Sequence, residues 1–538
     1  MKIRTLALAT FAVIFLLGAL PLVAQTALQS AAGKEIPITL SDVVNLILDR
    51  NLDVTSNRLT PVSSRLQSLA LQRFLQPSLT LGGSVSRDTS ASTTQLNGAQ
   101  SLSQLRHNFS ATLAQTLPSG TTLSAVGTMN RTSSNSFLNT YNPSYSGRIT
   151  YSVTQHLLQN RTRVVNLRQI LQSQNNEKIS EAQFEIQLIN LLVSAQKAYW
   201  DLVFSNEDLK VKQDSLKLAE KTLEENKARV EIGTMAPIDV VQTQADVASR
   251  RELVVVSTGA VTLSEDQVKK LISGESDPSL FLIRLKTLES PRKPLDSQLP
   301  PLAEAVKIAI ENRPELRQAR LDEENRDLDV QYTRNQKLPI FDVGLTFNQN
   351  GTGGTQTVRP SFGDTSVQNT IPGGLGDALG QLFGYNYKGY GLTFNVVIPL
   401  KNHAAEADYS RAINERKLAD AKINGTLQNI LSEVRTALVQ ADTNRSRIET
   451  AQTARELAEL KYTAEKDKYD LGVSTLRFVL EEQRNAAQAQ SNELQAVVNY
   501  TKILVDLDRA MGVTLKKNNV EIEKALAPAP GGKTATKK

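Results

Sequence analysis

Between Asn160 and Ile232 the chain contains neither proline nor glycine, and no other feature restricts its fold as much. A helix over those residues would run roughly 110 Å, far beyond the span of an ordinary globular domain. Ala195, Leu202, Leu209, Leu216, Leu223 and Val230 recur every seven residues, and after a glycine break Val240, Val247, Val254, Val261 and Val268 do the same. That spacing predicts coiled-coil seams. A less strict series steps by seven through Leu427, Val434, Ala441 and Ile448. Glu, Gln, Lys, Asn and Ser fill most other positions, so four helices with a second, polar face suit a tube of helices around water.

The sequence is duplicated. At an offset of 262, Leu40 matches Leu302, Asp53 matches Glu315, Pro77 matches Pro339 and Gly82 matches Gly344; further on, at an offset of 239, Gly233 matches Gly472 and Gln244 matches Gln483. Units this long are whole architectural halves rather than solenoid repeats. The expected organisation is a leader at 1–24, a first repeat at 38–273, a linker at 274–301, a second repeat at 302–512 and a partly disordered tail at 513–538. Strands fall within 77–156 and 339–399, and helical hairpins within 160–273 and 402–512.

Period-two alternation marks the strands. Phe341, Val343, Leu345 and Phe347 form one apolar set, Tyr390, Leu392, Phe394 and Val396 a second, Leu79, Leu81 and Val85 a third, and Ile149, Tyr151 and Val153 a fourth. Phe109, Ala111 and Leu113, a Pro118-Ser119-Gly120 turn, then Leu123, Ala125 and Met129 predict an additional hairpin. From Asn350 to Lys388 the composition is that of a long polar loop. Tyr385, Tyr387, Tyr390 and Phe394 cluster as in an aromatic girdle at a bilayer interface. A soluble β-sandwich shows the same alternation, so alternation alone leaves both readings open.

Lys2 and Arg4 precede an apolar run from Leu6 to Leu20 and a small-residue exit at Ala24, the layout of a secretory signal peptide. No later stretch approaches membrane-spanning length, so only closed β-structure would cross a bilayer. Sixty-one basic against fifty-five acidic residues leave a net charge of +6, which gives little support to nucleic-acid binding. The chain has no cysteine, and its three histidines, His107, His156 and His403, lack ligand-like spacing. Gly374, Gly376 and Gly380 imitate a phosphate loop only superficially, and neither G-x-S-x-G nor H-E-x-x-H occurs. A non-enzyme without cofactor or metal is expected.

The most specific local signal lies at the two helix breaks, where Arg229, Gly233 and Asp239 are matched by Lys468, Gly472 and Phe478, with Thr234 and Ser474 just past the two glycines. Each glycine suits the left-handed residue that ends a helix, Thr234 or Ser474 can cap the next helix, and Pro237 suits a first turn. With the leader, the duplicated halves and the alternating strands, these breaks make the chain resemble TolC-like outer-membrane efflux proteins over roughly residues 38–512. The resemblance implies an α+β membrane protein, a homotrimer in which each chain gives four strands to a shared twelve-stranded barrel in outer-membrane lipid, continuous with a periplasmic helical barrel. It also implies a periplasmic adaptor docking at the tips (Arg229, Gly233, Thr234, Asp239, Lys468, Gly472, Ser474) and an inner-membrane pump of the RND or ABC type. Drug efflux, metal efflux and protein secretion all remain compatible with it.

Three departures stand out. The segment from Asn108 to Arg131 would give six strands per chain if it joined the barrel. Without cysteine, the lipid anchor of some relatives cannot form. Where the family often has acidic residues six and nine positions after the second glycine, this chain has Phe478 and Glu481, so one acidic position of the periplasmic gate is replaced by a ring. The competing reading is a periplasmic coiled-coil adaptor or surface scaffold, which would require a compact soluble β-domain.

Overall fold

The computed structural model describes residues 35–93, 99–274, 278–290, 299–361 and 366–522. The expected leader, most of the tail and parts of the 274–301 linker lie outside these residues. In chain order the elements are β1 (Glu35–Ile38), α1 (Leu40–Arg50), α2 (Leu52–Leu71), β2 (Ser78–Ala91), β3 (Ser101–Thr116), β4 (Thr122–Ser134), β5 (Tyr141–His156), α3 (Arg163–Glu231) and α4 (Pro237–Ile272). There follow β6 (Arg284–Thr287), α5 (Leu302–Asn312), α6 (Pro314–Gln336), β7 (Ile340–Val358), β8 (Asn369–Ile371), α7 (Leu375–Phe383), β9 (Tyr387–Val397), α8 (His403–Asp470), α9 (Leu476–Ala510) and α10 (Thr514–Lys517). The duplication is visible in these bounds: α1 and α5 begin at the matched Leu40 and Leu302, and β2 and β7 follow the matched Pro77 and Pro339 directly.

Two compact units form. One holds Ser63–Ile179 and Ala319–Lys422, and the other holds the described residues up to Val62, Ser180–Gln318 and the chain from Ile423 on. In the first unit β2, β3, β4, β5, β7 and β9 make one antiparallel sheet in that order, with β8 paired to the far end of β7. The expected hairpin is therefore β3–β4, and it lies within the sheet between β2 and β5.

Register carries one apolar row across all six strands: Leu79 faces Leu113, Leu113 faces Ala125, Ala125 faces Tyr151, Tyr151 faces Phe347 and Phe347 faces Tyr390. Because successive side chains alternate faces, Leu81, Phe109, Leu123, Met129, Ile149, Val153, Leu345, Leu392, Phe394 and Val396 share that face. The opposite face carries small polar residues such as Thr80, Thr112, Thr150 and Asn348, which are likewise aligned. Two expectations need correction here. The polar segment after Asn350 is largely ordered, because β7 continues to Val358 by pairing with the far end of β5. Tyr387 pairs with Asn350 and so points away from the apolar face that Tyr390 and Phe394 share.

The glycine-rich run taken from Gly374 onward forms α7, with the Gly374 amide donating to the Asp377 carboxylate at 2.7 Å. It lies against the apolar face at one end of the sheet, where Gly147, Gly351 and Gly353 lack side chains. A Cβ on Gly351 would sit 2.0 Å from the Ala378 carbonyl, and one on Gly353 2.3 Å from that of Gly374. Ala378 and Leu382 are buried there.

In the second unit the long helices form two hairpins, α3 with α4 and α8 with α9. Part of the heptad series is buried, while Leu209, Leu216, Leu223, Val230, Val240, Val254 and Val261 are only half-buried. Ala195, Leu202, Val247 and Val268 are buried in the first hairpin and Val434, Ala441 and Ile448 in the second. Leu188, Leu192, Tyr199 and Leu202 pack with Val43 and Ile47 of α1, while Ala305 and Ala309 of α5 pack with Ile430 and Val434. At about 1.5–3 kcal/mol per buried large aliphatic side chain, these clusters are the main stabilising term. Thr39 starts α1 with a reciprocal cap: its hydroxyl accepts from the Asp42 amide at 3.2 Å and its amide donates to the Asp42 carboxylate at 3.0 Å.

Candidate functional site

Both tips end in the same backbone device. The Gly233 amide donates to the Val230 carbonyl at 3.0 Å and the Thr234 amide to the Arg229 carbonyl at 2.9 Å; the Gly472 amide donates to Tyr469 at 2.9 Å and the Val473 amide to Lys468 at 2.9 Å. These paired bonds require a left-handed residue just past the helix, and Gly233 and Gly472 have φ of +76° and +78°. No atom lies within 4 Å of a Cβ built on either, so backbone conformation alone, rather than crowding, calls for glycine.

The expected capping roles of Thr234 and Ser474 do not hold. The N-caps of α4 and α9 are Ala236 and Thr475, neither with a side-chain cap bond. The Thr234 hydroxyl instead donates back to the Arg229 carbonyl at 3.0 Å, and the Ser474 hydroxyl donates to the Glu465 carboxylate. Lys468 also reaches Glu465, at 3.1 Å. The Ser474 hydrogen bond first, then the Lys468 contact, hold the Glu465 carboxyl below its ordinary range.

The tips touch each other through Arg229. Its guanidinium lies 3.4 Å from Asp470, the last residue of α8, and 5.6 Å from the Tyr469 ring centroid. Burial pushes the Tyr469 hydroxyl up, against the opposing pull of Arg229. Asp239, in the first turn of α4, lies close enough to act on the same hydroxyl. Arg229 thus serves one turn with its carbonyl and the other with its side chain.

Phe478 and Glu481 are both exposed, three residues apart on one face of α9, whereas Leu476, Val479, Leu480 and Gln483 are buried. Arg477 and Arg484 are exposed on the same side. Behind them lies a group that sequence reasoning missed. Arg250, 3% exposed, donates to Asp246 at 2.6 Å and to Gln483 at 3.2 Å, and also reaches Ser215. This guanidinium ties α3, α4 and α9 together. Farther along, Asp208 accepts from Ser491 at 2.7 Å, and Asp201 pairs with Lys502 at 2.5 Å. The only sequence hint was that Gln483 occupies the position matched to Gln244.

The other functional surface is the sheet itself. It is a single layer, and beyond α7 its apolar face is uncovered among the described residues: Leu81 is 73% exposed and Tyr390 91%. Water would not favour so continuous an apolar surface, and among the described residues no second sheet packs on it as a sandwich or a soluble adaptor domain would require. Among the described residues no helix is long and apolar enough to cross a membrane.

An alternating sheet with one bare apolar face, in a chain that also folds two long helical hairpins with matched tips, defines the class of outer-membrane channel proteins. The chain belongs to the outer membrane efflux protein family, whose model matches residues 97–274 and 305–513; members of that family are channels, not enzymes. Its fold is similar to that of the Campylobacter jejuni CmeC outer membrane channel, at 16% identity and TM-score 0.61 over 91% of this chain and 89% of that one. It is also similar to the outer membrane protein VceC of Vibrio cholerae, at 15% identity and TM-score 0.60 over 88% and 96%. The open state of the Neisseria gonorrhoeae MtrE outer membrane channel matches at 16% identity and TM-score 0.55 over 88% and 89%. No curated protein sequence matches the chain significantly.

Proposed function

We propose that this protein is the outer-membrane exit duct of a tripartite efflux pump or type I secretion system, passively conducting substrates delivered by an inner-membrane pump and a periplasmic adaptor. In this reading residues 1–24 direct export and are removed, the sheet sits in outer-membrane lipid and the helical hairpins stand in the periplasm. The carrying observation is the bare apolar face of a sheet whose edge strands, β2 and β9, have no partner on their outer sides among the described residues. Lipid would cover that face, but unpaired strand edges are untenable in lipid, so copies of the chain must close the barrel together. The family resemblance makes that number three.

The duplicated tips are the adaptor-docking surface, formed by Arg229, Gly233, Thr234, Asp239, Lys468, Gly472 and Ser474. Phe478 and Glu481 line the periplasmic gate, where a three-fold axis would gather three rings and three carboxylates. Native mass spectrometry of the detergent-purified full chain tests the assembly. A trimer is expected, and a monomer that retains the full strand content by circular dichroism would overturn the proposal.

A further inference from the structure

Resting on that trimeric reading, we propose that the transmembrane barrel has eighteen strands, six from each copy, with β9 of one copy paired to β2 of the next. The family resemblance implies four strands per chain and twelve in all. Here β3 and β4 are not a loop decoration. They lie in the plane of the sheet, with β2 paired to β3 from Ser78 to Ala91 and β3 to β4 from Gln104 to Thr116. Their Phe109, Ala111, Leu113, Leu123, Ala125 and Met129 extend the same apolar row as the flanking strands. Removing the hairpin from the wall would cost β2 its partner β3 and β5 its partner β4.

The occupant of each edge is a second copy of this chain. Five successive antiparallel pairings lead from β2 to β9, so these two edges run in opposite directions. A copy added beside β9 therefore continues the antiparallel alternation, as an even strand number requires. β2 is exposed along its whole length and β9 nearly so. Each carries apolar residues over a matching stretch, Leu79 to Val85 and Tyr390 to Val396. Joining them makes the apolar band continuous around the wall and leaves no edge in lipid.

Strand number sets bore. At about 4.8 Å between strands and a tilt of about 40°, eighteen strands close at a backbone diameter of roughly 36 Å and twelve at roughly 24 Å. The inward face is lined mostly by Ser, Thr, Asn and Gly, with Arg106, Arg148 and Tyr387 among its larger side chains. This chain would thus build a barrel in the width class of an aqueous porin channel, about one and a half times as wide as twelve strands allow.

Electron cryo-microscopy of the full chain in lipid nanodiscs counts the strands. Eighteen, with β9 joined to β2 of the neighbouring copy, is the expected result. A trimer with twelve strands and β3–β4 displaced from the wall would overturn the eighteen-stranded barrel while leaving the trimeric duct intact, whereas any other copy number would overturn the trimeric reading itself. The absence of cysteine allows a second readout. A scan pairing Leu79→Cys, Leu81→Cys or Val85→Cys with Tyr390→Cys, Leu392→Cys or Phe394→Cys should yield disulfide-linked copies on gels. Pairing the same β2 cysteines with Ile149→Cys or Tyr151→Cys in β5 should give no link; a link within one chain there would mean that β2 and β5 are neighbours, and would refute the proposal.

Discussion

Adding a methyl group should loosen the chain at Gly233 and tighten it at Gly259. Neither position has an atom within 4 Å of the new Cβ, so no clash separates the two cases. What differs is the backbone. Gly233 has φ +76°, where an L side chain costs about 1–2 kcal/mol, whereas Gly259 lies inside α4, where alanine gains roughly 0.5–1 kcal/mol over glycine. For Gly233→Ala the cost falls on the turn closed by the Gly233 and Thr234 amides. Opening that turn should become about five- to thirty-fold more frequent. Hydrogen exchange followed by mass spectrometry on detergent-purified protein reads it locally. Faster exchange is expected in peptides covering 230–236 for Gly233→Ala and in 469–475 for Gly472→Ala, with unchanged or slower exchange around 259 for Gly259→Ala. Changes of the same sign at Gly233 and Gly259, or no change at either tip, would refute the reasoning.

Arg250→Leu leaves the Asp246 carboxylate, 6% exposed at its side chain, without its main partner, and losing one member of a buried pair costs about 3–5 kcal/mol. Arg484, 3.7 Å from Asp246, holds the expected loss near the lower figure. Urea unfolding should show it, and partial recovery is expected in Asp246→Asn with Arg250→Leu; a loss under about 1 kcal/mol would contradict the role given to Arg250. Because the Glu465 carboxyl is held below its ordinary range, its support of the second tip is complete above the unfolded value and fades as pH falls through the folded one. Amide protection of Val473 should therefore drop on acidification, and Ser474→Ala should raise the carbon-13 titration midpoint of Glu465; an unmoved midpoint would assign the shift elsewhere. Glu481→Gln should lower cation preference in single-channel recordings while Glu482→Gln should not, since converging carboxylates act most strongly in a narrow mouth. Equal and negligible effects would leave Glu481 an ordinary surface charge beside Arg477 and Arg484.

Long-range architecture was legible because it rests on repetition. A stretch free of proline and glycine, a heptad series and matched glycines specify helices and breaks through backbone preference alone, and the hairpin after Phe109 declares itself by alternation around the Pro118-Ser119-Gly120 turn. The outer half of β7 did not. From Asn350 to Gly354 its residues are polar or glycine because α7 covers that part of the face and needs close approach, so the alternation that announces a strand is lost. Thr234 and Ser474 were misread for a related reason: a hydroxyl just past a helix end can serve either the next helix or the one it has left, and spacing does not choose. The Asp246–Arg250 pair reads in one dimension as a solvated pair four residues apart. Only the approach of α9, bringing Gln483 to the guanidinium, buries it.

Single-channel recording of the purified full chain in planar lipid bilayers tests the central claim most directly. A water-filled duct closed by copies of this chain predicts discrete, uniform conductance steps that appear with the trimer fraction and are absent from monomer fractions. Protein that enters the bilayer as a trimer yet carries no current under any applied voltage, with the tips intact or with Phe478 and Glu481 replaced, would contradict it.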